Sequence, residues 1–188
     1  MESQQKAEEV EVVNETTSSF NRKDLVLRFL ALALTLIATV LVGVDKQTAN
    51  VTITLVPSLP PLSLPVTAKW TQMSAFVYFV IANAISCFYA AMSLILILAT
   101  RGGRKHMSLM ITILDLVVVA LLFSAIGATG SVGLIGFLGN SHVQWNKVCN
   151  VFDKFCHQVV VALFMSFAGS IAYLLLIVLV ALRLHKKF

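Results

Sequence analysis

Four uninterrupted apolar runs dominate the chain: Leu25–Val44, Phe76–Ala99, Met107–Ile126 and Val159–Leu182, the third able to run on to Gly130. A membrane-spanning helix needs about 20 predominantly apolar residues at 1.5 Å of rise each, and every run meets that length. The runs are continuous rather than alternating, which excludes a transmembrane β-barrel. Only 12% of the sequence is charged and 58% is hydrophobic, roughly half the charge of an ordinary soluble surface. A soluble enzyme, a disordered protein and a disulfide-rich secreted module are thereby ruled out. The predicted fold is an all-α membrane protein, a four-transmembrane-helix bundle with a short extracellular β-hairpin in its first outer loop. Spans are expected at about 25–44, 76–99, 107–130 and 159–182, within a membrane domain covering 25–188.

Orientation follows from Lys and Arg. Four crossings return the chain to its starting side, and that side carries ten of the 14 Lys and Arg residues, the other holding Lys46, Lys69, Lys147 and Lys154. Cytosolic flanks gather Lys and Arg, so both termini are expected in the cytosol. The net charge of +5 then reads as an orientation signal with some attraction to anionic headgroups, not as a nucleic-acid footprint. Residues 1–24 are polar and acidic and predict a disordered cytosolic tail. With no apolar core followed by a small-residue cleavage site, the first span is expected to act as its own insertion signal.

The first outer loop, Asp45 to Ala75, holds all four prolines: Pro57, Pro60, Pro61 and Pro65. Before them, Val51-Thr-Ile-Thr-Leu-Val56 alternates as a short strand does, and Ser58-Leu-Pro-Pro61 predicts a turn. Asn50-Val-Thr52 is an N-glycosylation sequon on the outer side, close to the membrane; Asn14-Glu-Thr16 matches the same pattern in the cytosolic tail and is expected to be silent. The second outer loop, about Ser131 to Gln158, carries Cys149 and Cys156. Disulfides persist outside the cell, so the two form a disulfide candidate. Seven helical residues would separate their Cα atoms by ~10.5 Å, beyond the reach of about 7 Å, so the bond requires a break in helix between them. A zinc site of His142, Cys149, Cys156 and His157 matches no standard spacing, and no metal or other cofactor is expected. Trp70, Trp145, Phe152 and Phe155 predict an aromatic belt. Gly127, Gly130, Gly133, Gly136 and Gly139 recur every third residue and predict a flexible or close-packed exit from the third span, not a dinucleotide fingerprint.

Two formal charges fall inside the spans, Arg28 and Asp115. Counting 1.5 Å per residue puts their Cα atoms ~6 and ~12 Å from the cytosolic edge, a gap an arginine side chain can close. A mid-membrane charge costs roughly 2.5–3.5 kcal/mol on insertion scales, which favours an Arg28–Asp115 ion pair joining spans one and three. Two alternatives stand beside it: Arg28 reaches the headgroups, or Asp115 is protonated and bonded to Thr112. Small residues also recur four apart in every span: Ala31/Thr35/Thr39/Gly43, Ala82/Ser86/Ala90, Ala120/Ser124/Ala128 and Ala162/Ser166/Ser170. Such rows let helices approach closely in lipid. In span three the row and Asp115 lie on different faces, which predicts two interaction faces. Asn83 and Tyr89 read as packing or interfacial residues.

These residues resemble the Casparian strip membrane domain protein-like (CASP-like) family of land plants, in the E type of its first subfamily, itself within a wider MARVEL-like four-span group. The resemblance rests on Arg28, Ile113-Leu-Asp115-Leu, Trp70 to Tyr89 and Gly139-Asn140…Trp145-Asn-Lys-Val-Cys149…Phe155-Cys156, and covers all but the N-terminal tail. It implies that Arg28 and Asp115 are signature intramembrane residues. It also implies a plasma-membrane protein forming homodimers, heterodimers or larger oligomers with related members. The first-loop signature of true strip-forming members is missing from Asp45–Ala75, so a wall-lignification role does not follow. With no catalytic cluster in the sequence, the expected function is a non-enzymatic scaffold that presents its outer loops to wall or membrane partners; a small-solute or ion channel is the alternative.

Overall fold

The computed structural model describes the backbone of residues 2–53, 62–100, 105–139 and 147–185, and side chains within 22–49, 65–99, 109–139 and 147–182. Four long helices carry the membrane segment: α1 (Glu2–Gly43), α2 (Ser74–Thr100), α3 (Lys105–Leu138) and α4 (Asp153–His185). Between the first two lie β1 (Lys46–Ile53), β2 (Leu62–Lys69) and a 3-10 turn at Trp70–Gln72. Each helix contains an apolar stretch long enough to span: Arg22–Gly43, Ser74–Ala99, Leu109–Leu138 and Asp153–Leu182.

The helices form a ring in which α1 packs on α2 and α4, and α3 packs on the same two neighbours. Alanines make this close approach possible: Ala31, Ala38, Ala82, Ala90, Ala125 and Ala162 are fully buried. At the α1–α4 contact a Cβ added to Gly169 would lie 3.2 Å from Thr35 Cγ2 and 3.6 Å from Leu34 Cβ. Hydroxyls within the helices turn back on their own backbone, as lipid offers no other partner: Thr35 donates to the Ala31 carbonyl at 2.8 Å, Thr39 to Thr35 at 2.8 Å and Ser170 to Ser166 at 2.9 Å.

Buried side chains gather into two clusters. One, toward the loop end, contains Val42, Phe76, Phe79, Phe152, Phe155 and Val159. The other, toward the termini, contains Ala31, Val118, Leu122, Tyr173 and Leu176. The hairpin pairs β1 with β2 antiparallel, Lys46 opposite Lys69 and Asn50 opposite Pro65. The expected strand Val51–Val56 is found over residues 51–53, and β1 begins earlier, at Lys46, because pairing with β2 runs on to Lys69; residues 54–56 lie outside the described residues. The expected turn at Ser58–Pro61 lies outside the described residues.

Three other expectations are corrected. Helix α1 begins at Glu2, where a disordered tail was expected; residues 2–24 contain no Pro or Gly to interrupt it. The third span does not loosen at its glycines. α3 runs on to Leu138, and Cβ atoms added to Gly127, Gly130, Gly133 or Gly136 would meet nothing within 4 Å. In a bilayer an opened backbone has no other hydrogen-bond partner, which outweighs the glycine penalty of about 1 kcal/mol each. Only Gly139, at φ 72°, ends the helix, in the left-handed conformation usual after a C-terminus. Finally, Phe152 and Phe155 form no belt; they are 6% and 8% exposed, and Phe155 meets Phe76 edge-on at 5.5 Å. Trp70 is half-buried against the same cluster, and Trp145 lies outside the described residues.

Candidate functional site

Along the inner seam of α2, Asn83, Ser86, Ala90 and Ser93 recur at heptad spacing and all are buried. A polar seam is costly in hydrocarbon unless every group finds a partner, and here the partners come from the helices opposite. Ser166 of α4 donates to Asn83 Oδ1 at 2.8 Å, while the Asn83 amide donates to the Phe79 carbonyl at 2.9 Å. Tyr173 of α4 donates to the Ser86 carbonyl at 2.9 Å and lies 3.2 Å from the Ser86 hydroxyl.

The ionic part lies nearer the termini. Arg28 meets Asp115 in a two-pronged contact, Nη1 to Oδ1 at 3.1 Å and Nη2 to Oδ2 at 2.8 Å. Arg28 is 2% exposed and Asp115 fully buried. The parallel fork explains the choice of arginine: its planar guanidinium matches both carboxylate oxygens, which a lysine cannot do. Two α2 residues complete the group. Arg28 Nη1 also donates to Ser93 Oγ at 3.1 Å, and the Ser93 hydroxyl donates to the Ala90 carbonyl at 2.9 Å. Tyr89 Oη stands 2.8 Å from Asp115 Oδ1 and 2.9 Å from the Ile111 carbonyl. Both charges thus lie inside the bundle, and Arg28 points to Asp115.

Since α1 and α3 occupy opposite corners of the ring, the Arg28–Asp115 pair crosses one diagonal. Asn83–Ser166 and Ser86–Tyr173 cross the other, from α2 to α4. Of the four small-residue rows, those of α2 and α4 face inward, and α1 buries Ala31 and Thr35. The Ala120/Ser124/Ala128 row faces outward, because Asp115, Val118, Val119 and Leu122 take the inner side of α3.

At the loop end, away from the termini, Cys149 and Cys156 are joined, with Cα atoms 5.7 Å apart. Helix α4 starts only at Asp153, so the required break in helix lies between the two cysteines. The same bond uses both thiols a zinc site would have needed. The loop closes onto α3: Val148 N and Cys149 N donate to the Gly136 carbonyl at 2.9 and 3.3 Å, covering an orphan acceptor at that helix end. The hairpin is tied down similarly. Gln47 Oε1 accepts from Phe155 N in the first turn of α4 at 2.9 Å, and Gln158 donates to the Leu41 carbonyl in the last turn of α1 at 2.8 Å. Asn50 stands in β1, in the strand-paired part of the hairpin.

The same chain matches the Casparian strip membrane protein domain over residues 17–172. It belongs to the CASP-like family. Among its relatives, CASP-like protein 1E2 of Vitis vinifera is 57% identical over 97% of this chain and 92% of its own length. CASP-like protein 1E1 of Glycine max is 56% identical over 87% of each, and the 1E1 protein of Populus trichocarpa 50% identical over 100% of this chain and 99% of its own. No solved structure matches. In this CASP-like protein the matched region contains the ionic pair, the α2 polar seam and the bonded cysteines.

Sequence reasoning did not single out Ser93, and read Tyr89 and Asn83 only as packing or interfacial residues. A depth count would have found the first two. Ser93 lies ~9 Å and Tyr89 ~15 Å from the terminal-side end of α2 at 1.5 Å per residue, bracketing the depth of Asp115.

Proposed function

We propose that this CASP-like protein is a non-enzymatic plasma-membrane scaffold, with both termini cytosolic, that assembles laterally with copies of itself and related members. The observation that supports this reading best is how the buried polar groups are used. The two interior charges are bonded to each other and to α2, and the α2–α4 pairs use up the remaining polar seam. Such an interior serves to hold four helices together rather than to pass a solute. The exposed side of the bundle is left for neighbours, including Ala120 and Gly127 of α3, which flank a Ser124 that accepts a hydrogen bond from Tyr78 of α2, and small residues favour close helix contact in lipid. The stapled outer loop and hairpin form the surface offered to partners outside.

Chemical crosslinking in native membranes, combined with photobleaching recovery of a tagged protein, tests this. The expected result is capture of dimers or larger assemblies and slow recovery within patches. A freely diffusing monomer that supports an ion current replaces the scaffold with a channel.

A further inference from the structure

A second feature lies where the termini meet the membrane. A groove of about 430 Å³ runs between α1 and α4, lined by Arg22, Lys23, Val26, Leu27, Leu175 and Leu179. Its walls are aliphatic, and Val26 and Leu175 are 61% and 47% exposed. Its mouth is cationic. Arg22 lies one turn above Val26, and Lys23 one turn above Leu27, since residues four apart share a helix face. Among the described residues, Asp24 does not line the groove. The two helices agree on depth: in the sequence the apolar runs begin at Leu25 and end at Leu182, so Val26 and Leu179 lie ~1.5 and ~4.5 Å inside that edge, Leu175 ~10.5 Å inside it, and Arg22 just outside it.

A cationic rim at headgroup level over an apolar slot aligned with the acyl chains fits one class of ligand. We propose that this groove is a binding site for an anionic glycerophospholipid of the leaflet on the termini side, its phosphate at Arg22 and one acyl chain between Val26, Leu27, Leu175 and Leu179. Charge complementarity selects an anionic over a zwitterionic lipid. Arg22 carries more of that selection than Lys23, which already makes a contact of its own. The site requires neither lateral assembly nor a particular orientation of the protein.

Native mass spectrometry of the full chain, purified in mild detergent and titrated with phosphatidylserine or phosphatidylcholine, tests it. Phosphatidylserine is expected to occupy one site with about tenfold preference. Arg22→Gln should cut that occupancy about fivefold, the worth of one interfacial cation. Leu175→Trp, which fills the slot, should lower retention of both lipids. Lys105→Gln, a charge removed on the same side but outside the groove, should leave binding unchanged. Thermal melting of each variant confirms that the bundle is folded. The proposal is overturned if Arg22→Gln binds as the parent does, or if Lys105→Gln loses as much, which would mark diffuse surface attraction. It is also overturned if soluble glycerophosphoserine competes as well as the whole lipid, because the slot would then contribute nothing.

Discussion

The two ends of the membrane bundle reach the same compactness by different means. Toward the loops, Phe76, Phe79, Phe152 and Phe155 fill the space between helices, while the Cys149–Cys156 bond and the Gln47 and Gln158 contacts fasten the loops to helix ends. Toward the termini, a guanidinium, a carboxylate, a phenol and a hydroxyl bond across the interior. Aromatic packing is tolerant and additive: losing one contact leaves the others. A buried ion pair is not, because removing either partner strands the other charge away from water. The terminal half should therefore fail abruptly and the loop half by degrees.

The sharpest way to break that contrast is to remove one charge. Arg28→Gln or Asp115→Asn should each cost about 3–5 kcal/mol and abolish surface expression, and the exchange Arg28→Asp with Asp115→Arg should recover part of it. An exchange no better than the single variants would show that the pair's position matters less than its surroundings. Next in size is Gly169→Leu, which drives a side chain into Thr35 and Leu34; overpacking of this kind costs roughly 1–3 kcal/mol, whereas Gly133→Leu, facing open space, should leave the melting temperature within a degree or so. Cys149→Ser should cost about 2 kcal/mol, the loop-closure value for so short a ring. Proteolysis should then cut the loop between α3 and α4 while hydrogen exchange in α2 stays slow.

The smallest effect concerns Asp45, just beyond α1. It is 4% exposed, its Oδ2 has no hydrogen-bond partner, and burial raises its carboxyl to about 6. The folded state then binds the extra proton, so stability increases as pH falls from about 7 towards 4. Asp45→Asn should raise the melting temperature at pH 7 by roughly 2–4 °C and flatten that pH dependence. A variant that melts lower at pH 7 would show that the carboxylate is held by a favourable contact.

The four spans were legible because twenty-residue apolar stretches have few other fates, and the ionic pair because lone charges in such stretches seek each other. The condition on Cys149 and Cys156 was equally readable, since helical rise alone forbids the bond in a continuous helix. Less was readable wherever partner choice depends on rotation about a helix axis. The Ala120 row and the Asp115 face of α3 both look adhesive in sequence, and only packing decides which turns inward. Ser93 was overlooked, and Tyr89 read only as a packing or interfacial residue, for a similar reason: a single hydroxyl gives no sign of what it faces until the opposing helix is set at the right depth. The glycines misled because their recurrence suggested a flexible or close-packed exit, without the high cost of opening a backbone in lipid.

Ties across both diagonals have a mechanical consequence. A ring of four rods touching only along its edges can shear, one pair sliding past the other. Cross-bracing between opposite corners, α1 to α3 and α2 to α4 at different depths, removes that freedom. A pull on the hairpin or the second outer loop is then expected to tilt or turn the whole membrane segment as one stiff body, delivering the motion to the long cap of α1 beyond the bilayer.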